Sequence, residues 1–308
     1  MTTPAGPADD GIDPSLSAIM SERRQLINLA YRLLGSLADA EDVVQETYAR
    51  WYAMSRQEQE AIESPGGWLT TVASRVCLDI LGSARARRER YVGEWIPEPV
   101  PDRTEWSAGR PGGDPADRVT LDESINMAFL VVLETMTPAE RVALILHDVF
   151  GYSFAEVAEI VGRTTAACRQ LASSARRRLR ASQAPTASAA RLGSIVRDFK
   201  LAWEAKDIDA LIGLLDPDVL AIGDGGGLVS AVLHPVEGRE KVARYLTELA
   251  GKAPGLAILE RTVNGLPGLV LQVDGATMAV LAFGVTADRI THIWGVRNPD
   301  KLRLWTAG

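Results

Sequence analysis

Arginine is the residue type that most clearly indicates a binding chemistry in this chain. Six arginines and no carboxylate lie between residues 163 and 180, although the 308-residue chain as a whole has a net charge of −7. A guanidinium group pairs readily with phosphate oxygens, so a local cluster of this kind predicts contact with a nucleic-acid backbone. The alternative is a solvated basic helix end that complements its own helix dipole.

The segment that carries these arginines has the pattern of a helix-turn-helix. Its sequence predicts one helix over Phe154–Val161, a turn over Gly162–Thr164 and a second helix over Thr165–Arg180. Ser153 and Thr164 are residue types that cap helix N-termini, and glycine suits the turn. The turn and the second helix are expected to expose Arg163, Arg169, Ser173, Arg176 and Arg177.

A second group of arginines follows an earlier predicted helix. Arg85, Arg87, Arg88 and Arg90 lie at the end of an apolar helical stripe that begins at Trp68. Basic residues are common at helix C-termini, so this cluster alone is not specific. Together with a helix-turn-helix further along the chain, it suggests two DNA contacts joined by a flexible spacer.

Composition divides the chain into two helical blocks and a third block of mixed type. Periodic apolar positions predict helices within residues 15–92 and 118–182. The intervening residues 93–117 are rich in proline and glycine, which indicates a linker. Within residues 191–308, amphipathic helices precede short aliphatic runs separated by turn residues, so an α+β domain is expected. The predicted strands include residues 219–223, 228–234, 269–273, 278–285 and 290–296.

Residues that commonly serve catalysis or metal binding are sparse. Cys77 and Cys168 each lie in an apolar helical pattern, and His147, His234 and His292 share no metal-ligand spacing. We therefore predict no disulfide framework, no metal site and no cofactor. No apolar stretch approaches the roughly 18–20 residues that cross a bilayer, and the N-terminus lacks the basic start of a signal peptide. A cytoplasmic protein without membrane contact is expected.

Four motifs in order resemble the extracytoplasmic-function (ECF) sigma factors of bacteria. They are Asp39–Thr47 (DAEDVVQET), Gly67–Asp79 (GWLTTVASRVCLD), Leu133–Arg141 (LETMTPAER) and the helix-turn-helix. The first two are similar to sigma region 2 and the last two to sigma region 4. The resemblance covers about residues 20–182. It implies two all-α domains, a region 2 helical bundle and a region 4 helix-turn-helix, that act in transcription initiation and not as an enzyme.

Three further motifs are similar to signatures of the SigJ-like subgroup, in which a SnoaL-like (NTF2-like) domain is fused to the C-terminus. They are Trp95–Pro99 (WIPEP), Asp224–Gly227 (DGGG) and Asn298–Leu302 (NPDKL). The subgroup implies an α+β cone over residues 191–308 that controls the sigma domains in cis. Trp95 and Ile96 are apolar within a polar segment, which also suggests a docking anchor. We expect the three motifs to meet, with an interdomain regulatory role for Trp95, Pro97, Glu98, Pro99, Asp224, Gly225, Gly226, Gly227, Asn298, Pro299, Asp300, Lys301 and Leu302.

The resemblance also assigns binding roles within the sigma domains. The implied partners are promoter DNA and core RNA polymerase, bound through the clamp of its largest subunit and through its flap. Docking on the clamp falls to Asp39, Asp42, Gln45 and Glu46, whose acids also complement the dipole of their helix. Recognition of the −10 element falls to Trp68, Arg75, Asp79, Arg85, Arg87 and Arg88, and the −35 element to Arg163, Thr165, Arg169, Ser173, Arg176 and Arg177.

Two of the −10 assignments stay open. Many ECF factors have Arg-Asn where this chain has Ser74-Arg75. Trp68 is either a core residue or a base-stacking residue. The segment over residues 54–64, which follows the docking helix, is expected to be a loop that takes part in melting the −10 element.

Several roles for the C-terminal domain also remain open. An interaction module that regulates the sigma domains is favoured, and a cavity that binds a small molecule is the alternative. Catalysis would use Asp224, His234 or His292 as the base, but each fits a turn or a strand position. A helix-turn-helix repressor is a further alternative, which the polymerase-docking helix disfavours.

Overall fold

Four helices form the N-terminal unit of the computed structural model, which describes residues 14–88, 91–101, 125–182, 188–229 and 234–306. The helices are α1 Pro14–Leu34, α2 Leu37–Ala53, α3 Arg56–Glu60 and α4 Pro65–Arg88. Gly35 ends α1 with φ +69°, a conformation that favours glycine. The Ser36 hydroxyl then caps α2 by accepting the Asp39 N–H at 3.2 Å. The prediction of a loop over residues 54–64 is wrong in part, because a Ser55–Glu58 capping box stabilises α3 there.

Four more helices form a second unit: α5 Met127–Glu134, α6 Pro138–Leu144, α7 Phe154–Val161 and α8 Thr165–Ser182. A π-helical turn, Ile145–Val149, continues α6. Capping boxes open α6 at Thr137 and α7 at Ser153. The helix-turn-helix bounds predicted from sequence are confirmed, with α8 two residues longer than expected.

The two helical units share one apolar core. Leu26 of α1 and Leu69 of α4 belong to the same buried cluster as Val142 of α6 and Val157 of α7. At the boundary the buried Arg141 guanidinium donates to the Leu33 carbonyl oxygen at 2.8 Å. The last carbonyls of a helix lack intrahelical donors, so this contact satisfies one of them inside the protein.

The C-terminal unit is a mixed sheet with helices on one face. Its elements are α9 Ala189–Glu204, α10 Ile208–Leu214, β1 Leu215–Asp224, β2 Val236–Glu237, α11 Arg239–Lys252, β3 Leu256–Val263, β4 Leu266–Val273, β5 Ala276–Thr286 and β6 Arg289–Val296. The strand order is β2–β1–β6–β5–β4–β3, with β1 and β6 parallel and the other neighbours antiparallel. Single 3-10 turns, Pro299–Lys301 and Arg303–Trp305, follow β6.

Tight turns join the strands from β3 to β6. Each turn has two residues in the left-handed region, which are Asn264–Gly265, Asp274–Gly275 and Ala287–Asp288. Two-residue hairpins favour Asn-Gly and Asp-Gly because their twist requires positive φ at both positions. The register of these strands is therefore fixed locally.

The two faces of the sheet have different partners. Leu281 and Phe283 of β5 pack against Phe199 and Trp203 of α9. The alternate residues, Val280 and Ala282, form a separate buried cluster with Ile96 of the linker segment, Met127 of α5 and Leu302. The face of the sheet away from α9–α11 thus binds both the linker and the second helical unit.

Two elements of the C-terminal unit were not predicted from the sequence, and one predicted strand is wrong. The sequence analysis did not predict α11, although Val242 and Leu246 give it a buried face one turn apart, and it did not predict β3. Residues 228–234 were predicted as a strand, but Leu228 and Val229 lie in the turn after β1, where Gly226 and Gly227 have positive φ. Residues 230–233 of that run lie outside the described part of the chain.

Candidate nucleic-acid interface and interdomain contact

The geometry of the helix-turn-helix is set by local caps. Gly162 adopts φ +67° and ψ 39°, which ends α7 and turns the chain. The Arg163 N–H donates to the Ala158 carbonyl at 3.1 Å, and the Thr164 hydroxyl accepts the Ala167 N–H at 3.2 Å. These bonds fix the direction in which α8 leaves the turn.

The residues predicted to meet the −35 element lie on the outer side of α8. Arg163, Arg169, Ser173 and Arg177 are exposed, and Thr165 is half-buried. Arg176 differs, because its guanidinium makes two hydrogen bonds of 2.6 and 2.7 Å to the Asp148 carboxylate. Asp148, which sequence reasoning did not single out, therefore already pairs with this arginine.

The predicted polymerase-docking residues form a polar stripe on α2. Asp42, Gln45 and Glu46 are exposed, while Asp39 is half-buried in the first turn. Glu46 also binds Arg50 one turn later at 2.8 Å. This stripe leaves carboxylates available to a basic partner surface.

The residues predicted to read the −10 element lie along α4, and they have different surroundings. Trp68 is half-buried, with its ring edge-on to Trp51 at 5.2 Å between centroids. Arg75 donates through Nη2 to the Glu159 carbonyl oxygen of α7 at 3.0 Å, and Asp79 is exposed. Helix α4 includes Arg85, Arg87 and Arg88, but their side chains lie outside the described part of the structure.

A buried ion pair brings the three interdomain motifs together. Lys301 Nζ lies 2.7 Å from Asp224 Oδ2 and donates to the Ile96 carbonyl oxygen at 2.6 Å. Asp224 has no exposed surface and also accepts the Ile96 N–H at 3.0 Å. The Lys301 ammonium lies 4.1 Å from the centroid of the Trp95 ring, a cation–π contact. The linker segment therefore binds both members of the pair.

Tyr91 and Asn298 complete this network. The Tyr91 hydroxyl donates to Asp224 Oδ1 at 2.6 Å and accepts from Asn298 Nδ2 at 2.9 Å. Burial and the Asp224 carboxylate raise the pKa of Tyr91. A Cβ at Gly226 would collide with the Asn298 side chain, so the glycine lets the two segments approach. The Asn298 side chain also caps the 3-10 turn Pro299–Lys301, where its Oδ1 accepts the Asp300 N–H at 3.0 Å.

The rest of the linker segment crosses from the sheet to the N-terminal unit. Glu98 Oε2 accepts the Leu37 N–H at 2.8 Å, which places the carboxylate at the start of α2. Because Glu98 is 6% exposed, burial raises its pKa to about 7. The Leu37 N–H and the positive charges of Lys301 and Arg303 lower the pKa, but their effect is smaller than that of burial. The Pro99 carbonyl accepts the Trp305 indole N–H at 2.9 Å, and Pro97 packs near Gly35.

Asn264 was missed by sequence reasoning, although it joins all three units. It lies in the β3–β4 turn and is 1% exposed. Its amide donates to the Tyr31 hydroxyl of α1 at 2.8 Å and to the Ile125 carbonyl before α5 at 3.0 Å, and accepts the Val100 N–H at 3.1 Å. The Asn-Gly pair signals a hairpin, but no local signal shows that its side chain serves as a connector.

The candidate catalytic bases do not form a site. Asp224 is occupied by Lys301, Tyr91 and Ile96, while His234 is exposed. His292 is half-buried on β6, and burial lowers its pKa. Within the described residues no three His, Cys, Asp or Glu side chains are grouped to hold a metal ion. Nor does that part of the chain contain a helix long and apolar enough to cross a membrane.

Comparisons with known proteins place this arrangement in a family. The Sigma-70 region 2 model matches residues 18–88, and the Sigma-70 region 4 model matches residues 126–179. The ECF RNA polymerase sigma factor SigJ of Mycobacterium tuberculosis is 39% identical over 91% of this chain and 90% of its own length. A probable ECF RNA polymerase sigma factor of the same species, SigI, is 34% identical over 94% of this chain and 95% of its own length.

The crystal structure of Mycobacterium tuberculosis SigJ has the same overall organisation. It superposes with a TM-score of 0.75 at 37% identity, covering 94% of this chain and 98% of that one. The chain therefore belongs to the family of ECF RNA polymerase sigma factors. The predicted fold class is confirmed for two all-α sigma domains followed by an α+β domain.

Proposed function

We propose that this protein binds core RNA polymerase, directs it to −10 and −35 promoter elements, and is held inactive in cis by its C-terminal domain. The family supports the first part, since the chain matches both sigma regions in the expected order. The chemistry of transcription then belongs to the polymerase, and this chain supplies recognition. We accordingly expect it to act in the cytoplasm, where the polymerase works.

The observation that supports the regulatory part is a direct contact between α4, which is assigned to −10 recognition, and α7, the first helix of the helix-turn-helix. Arg75, assigned to −10 recognition, donates to Glu159 of the helix-turn-helix. The −10 and −35 elements are about 25 base pairs apart by their names, or about 85 Å along B-form DNA at 3.4 Å per pair. Units in direct contact cannot occupy both elements, so the conformation described here must open before promoter binding.

The linker segment and the C-terminal sheet supply the contacts that hold this closed conformation. Ile96 binds the Asp224–Lys301 pair, and Asn264 binds both α1 and the segment before α5. Buried polar contacts of this kind are costly to break one at a time, because each leaves a partner unsatisfied. The domain would therefore act on both sigma regions together.

Run-off transcription with purified bacterial core polymerase tests both parts of the proposal. The template is the upstream region of the gene for this protein, with an unrelated sigma factor and its promoter as the positive control. The full chain is compared with a chain that ends at Ser182, whose helical content is checked by circular dichroism. A specific transcript from either chain supports the sigma function, and its absence from both over a set of promoters would overturn it.

The same assay separates the roles of the C-terminal domain. More transcript from the shortened chain supports inhibition in cis. Equal transcript would show that the domain has no part in control, and less transcript from a folded shortened chain would make it a required scaffold. Either of the last two results contradicts the inhibitory role.

A further inference from the structure

A cavity of about 500 Å³ lies between the second helical unit and the C-terminal sheet. One wall is α5, with Met127 and Val131, and the end of α8. The opposite wall is the sheet face turned away from α9–α11, with Ile222 of β1 and Trp294 of β6. The face toward α9–α11 is instead filled by aromatic packing around Phe199 and Phe283. Leu192 of α9 and Phe283 also line the cavity, but α5 and the end of α8 form part of its wall, so it is an interdomain site.

Trp294 is the residue that indicates a ligand. Its side chain lines the cavity and is 4% exposed, and within the described part of the chain its Nε1–H has no hydrogen-bond partner. A buried donor left unpaired costs free energy, about 1–3 kcal/mol, so native proteins rarely leave one without a reason. Nε1 itself has almost no accessible surface, so an acceptor oxygen on a bound molecule would satisfy it once the neighbouring side chains shift to admit the ligand.

The other lining residues define the chemistry of that molecule. The described residues around the cavity are mostly apolar and include no Asp, Glu, Lys or Arg. His292 is stacked on Trp294 at 5.3 Å between ring centroids, and burial lowers its pKa, which favours the uncharged imidazole. A charged ligand would lose its hydration without a counter-charge. The volume falls within the 300–1,000 Å³ usual for small-molecule sites.

We infer that this cavity binds a neutral, largely apolar small molecule with a carbonyl or hydroxyl oxygen that accepts from Trp294, and that binding favours the closed conformation. The second part rests on the proposed function. Because its two walls belong to different units, the complete site exists only when α5 is docked on the sheet. A ligand at ten times its dissociation constant would then reduce the open fraction by about tenfold.

Three matched probes test the cavity on the full chain without polymerase: 2-acetylnaphthalene, naphthalene and 2-naphthoate. We expect the ketone to bind about fivefold more tightly than naphthalene, from one added hydrogen bond, and the carboxylate to bind most weakly. In NMR of the ¹⁵N-labelled indoles, the ketone should shift the Trp294 Nε1–H resonance. No binding of any probe, or tightest binding of the carboxylate, would overturn the site.

Trp294→Phe removes the donor and keeps an aromatic ring, while Trp51→Phe is the matched substitution outside the cavity. The ketone should lose its advantage over naphthalene in Trp294→Phe and keep it in Trp51→Phe. An advantage that persists in folded Trp294→Phe would overturn the assigned hydrogen bond. Since Trp294→Phe removes an unpartnered donor, its melting temperature should stay close to that of the wild type.

Run-off transcription with and without the ketone tests the coupling. A fall in transcripts with the wild type that requires about fivefold more ketone with Trp294→Phe supports it. Unchanged transcription at saturating ketone would overturn the coupling while the NMR result stands. If neither the full chain nor the chain that ends at Ser182 gives transcripts without ketone, the proposed function fails, and the cavity is still decided by NMR.

Discussion

Lys301 is the residue that compensates the buried charge of Asp224. Removing one member of such a pair typically costs 3–5 kcal/mol, because the other charge stays buried without a partner. We expect Lys301→Met to destabilise the docked linker by about that amount. Hydrogen exchange of the Ile96 amide, which donates to Asp224 at 3.0 Å, reports the effect directly.

The double variant Asp224→Asn, Lys301→Met is the control for this prediction. It removes both charges and keeps one acceptor oxygen for the Ile96 N–H, while the new NH₂ group can donate to the Tyr91 hydroxyl oxygen, so protection of the Ile96 amide should largely return. Protection that is unchanged in Lys301→Met would show that the pair does not hold the linker. If the single and double variants lose the same amount of protection at the Ile96 amide, the linker is held by packing of the Lys301 aliphatic stem and not by its charge.

Titration of Glu98 should make the stability of the closed conformation depend on pH. Its folded pKa is raised from 4.5 to about 7 by burial, so the stability it contributes is complete below pH 4.5 and is lost as the pH rises through 7. The difference corresponds to about 3 kcal/mol at most. Glu98→Gln keeps an acceptor for the Leu37 N–H and removes the titration.

Thermal unfolding between pH 5 and pH 8 measures this effect. The wild type should lose stability relative to Glu98→Gln across that range, with the two closest at pH 5. The comparison cancels the other titrating groups, which both proteins share. Parallel curves for the two proteins would contradict the assignment.

At the scale of elements, the exposed face of α8 should carry the contacts with DNA. We expect Arg169→Ala to weaken promoter binding by the holoenzyme and to reduce the slope of log affinity against log salt by about one. Arg191→Ala is the matched control, since Arg191 is exposed on α9 and pairs with Asp288 at 2.8 Å. Binding titrations at several salt concentrations provide the measurement, and equal slopes for both variants would remove Arg169 from the interface.

Removing the charge of Asp148, on the same surface, should have the opposite effect on promoter binding. Its carboxylate binds Arg176 twice and places negative charge beside the recognition helix. Asp148→Asn should therefore strengthen promoter binding by several-fold at low salt, with a smaller gain at high salt because exposed charges are screened. Weaker binding with the helix intact would show that the pair orients Arg176 for DNA instead of withholding it.

Elements whose ends are specified by their own capping residues and glycines were predictable from the sequence. The helix-turn-helix has its own caps and its own glycine, so Ser153, Gly162 and Thr164 specify its bounds without the rest of the protein. Helix α11 was not predicted, because the aliphatic runs before and after it were interpreted as consecutive strands separated by turns. Its apolar positions have helical spacing, which a stricter count of the period would have detected.

Contacts between distant segments were not predictable in the same way. Asp224 and Asn298 could be grouped with the linker through family resemblance, but Tyr91 and Asn264 belong to no quoted motif. The Arg176–Asp148 pair joins residues 28 positions apart and depends on how α6 packs on α8. The interdomain cavity likewise arises from two units that sequence patterns describe separately.

At the scale of the whole molecule, we expect the closed conformation to oppose promoter recognition. The helical units share one core, and Arg75 and Arg141 bridge them. Opening must break these contacts together with those of the linker and Asn264. Core polymerase and promoter DNA would supply the free energy for opening by binding only to separated regions. Mutations that weaken docking should therefore lower the polymerase concentration needed for transcription.

The most direct test is a distance between α4 and α7 in the free protein and in the transcription complex. Nitroxide labels at Ser83→Cys and Ala155→Cys occupy exposed positions, while Cys77 and Cys168 are fully buried and should not react. Electron paramagnetic resonance should give a short distance in the free chain. With core polymerase and promoter DNA, the distance should lengthen by tens of ångströms, toward the about 85 Å between the elements. An unchanged short distance in a complex that makes transcripts would contradict inhibition by closure.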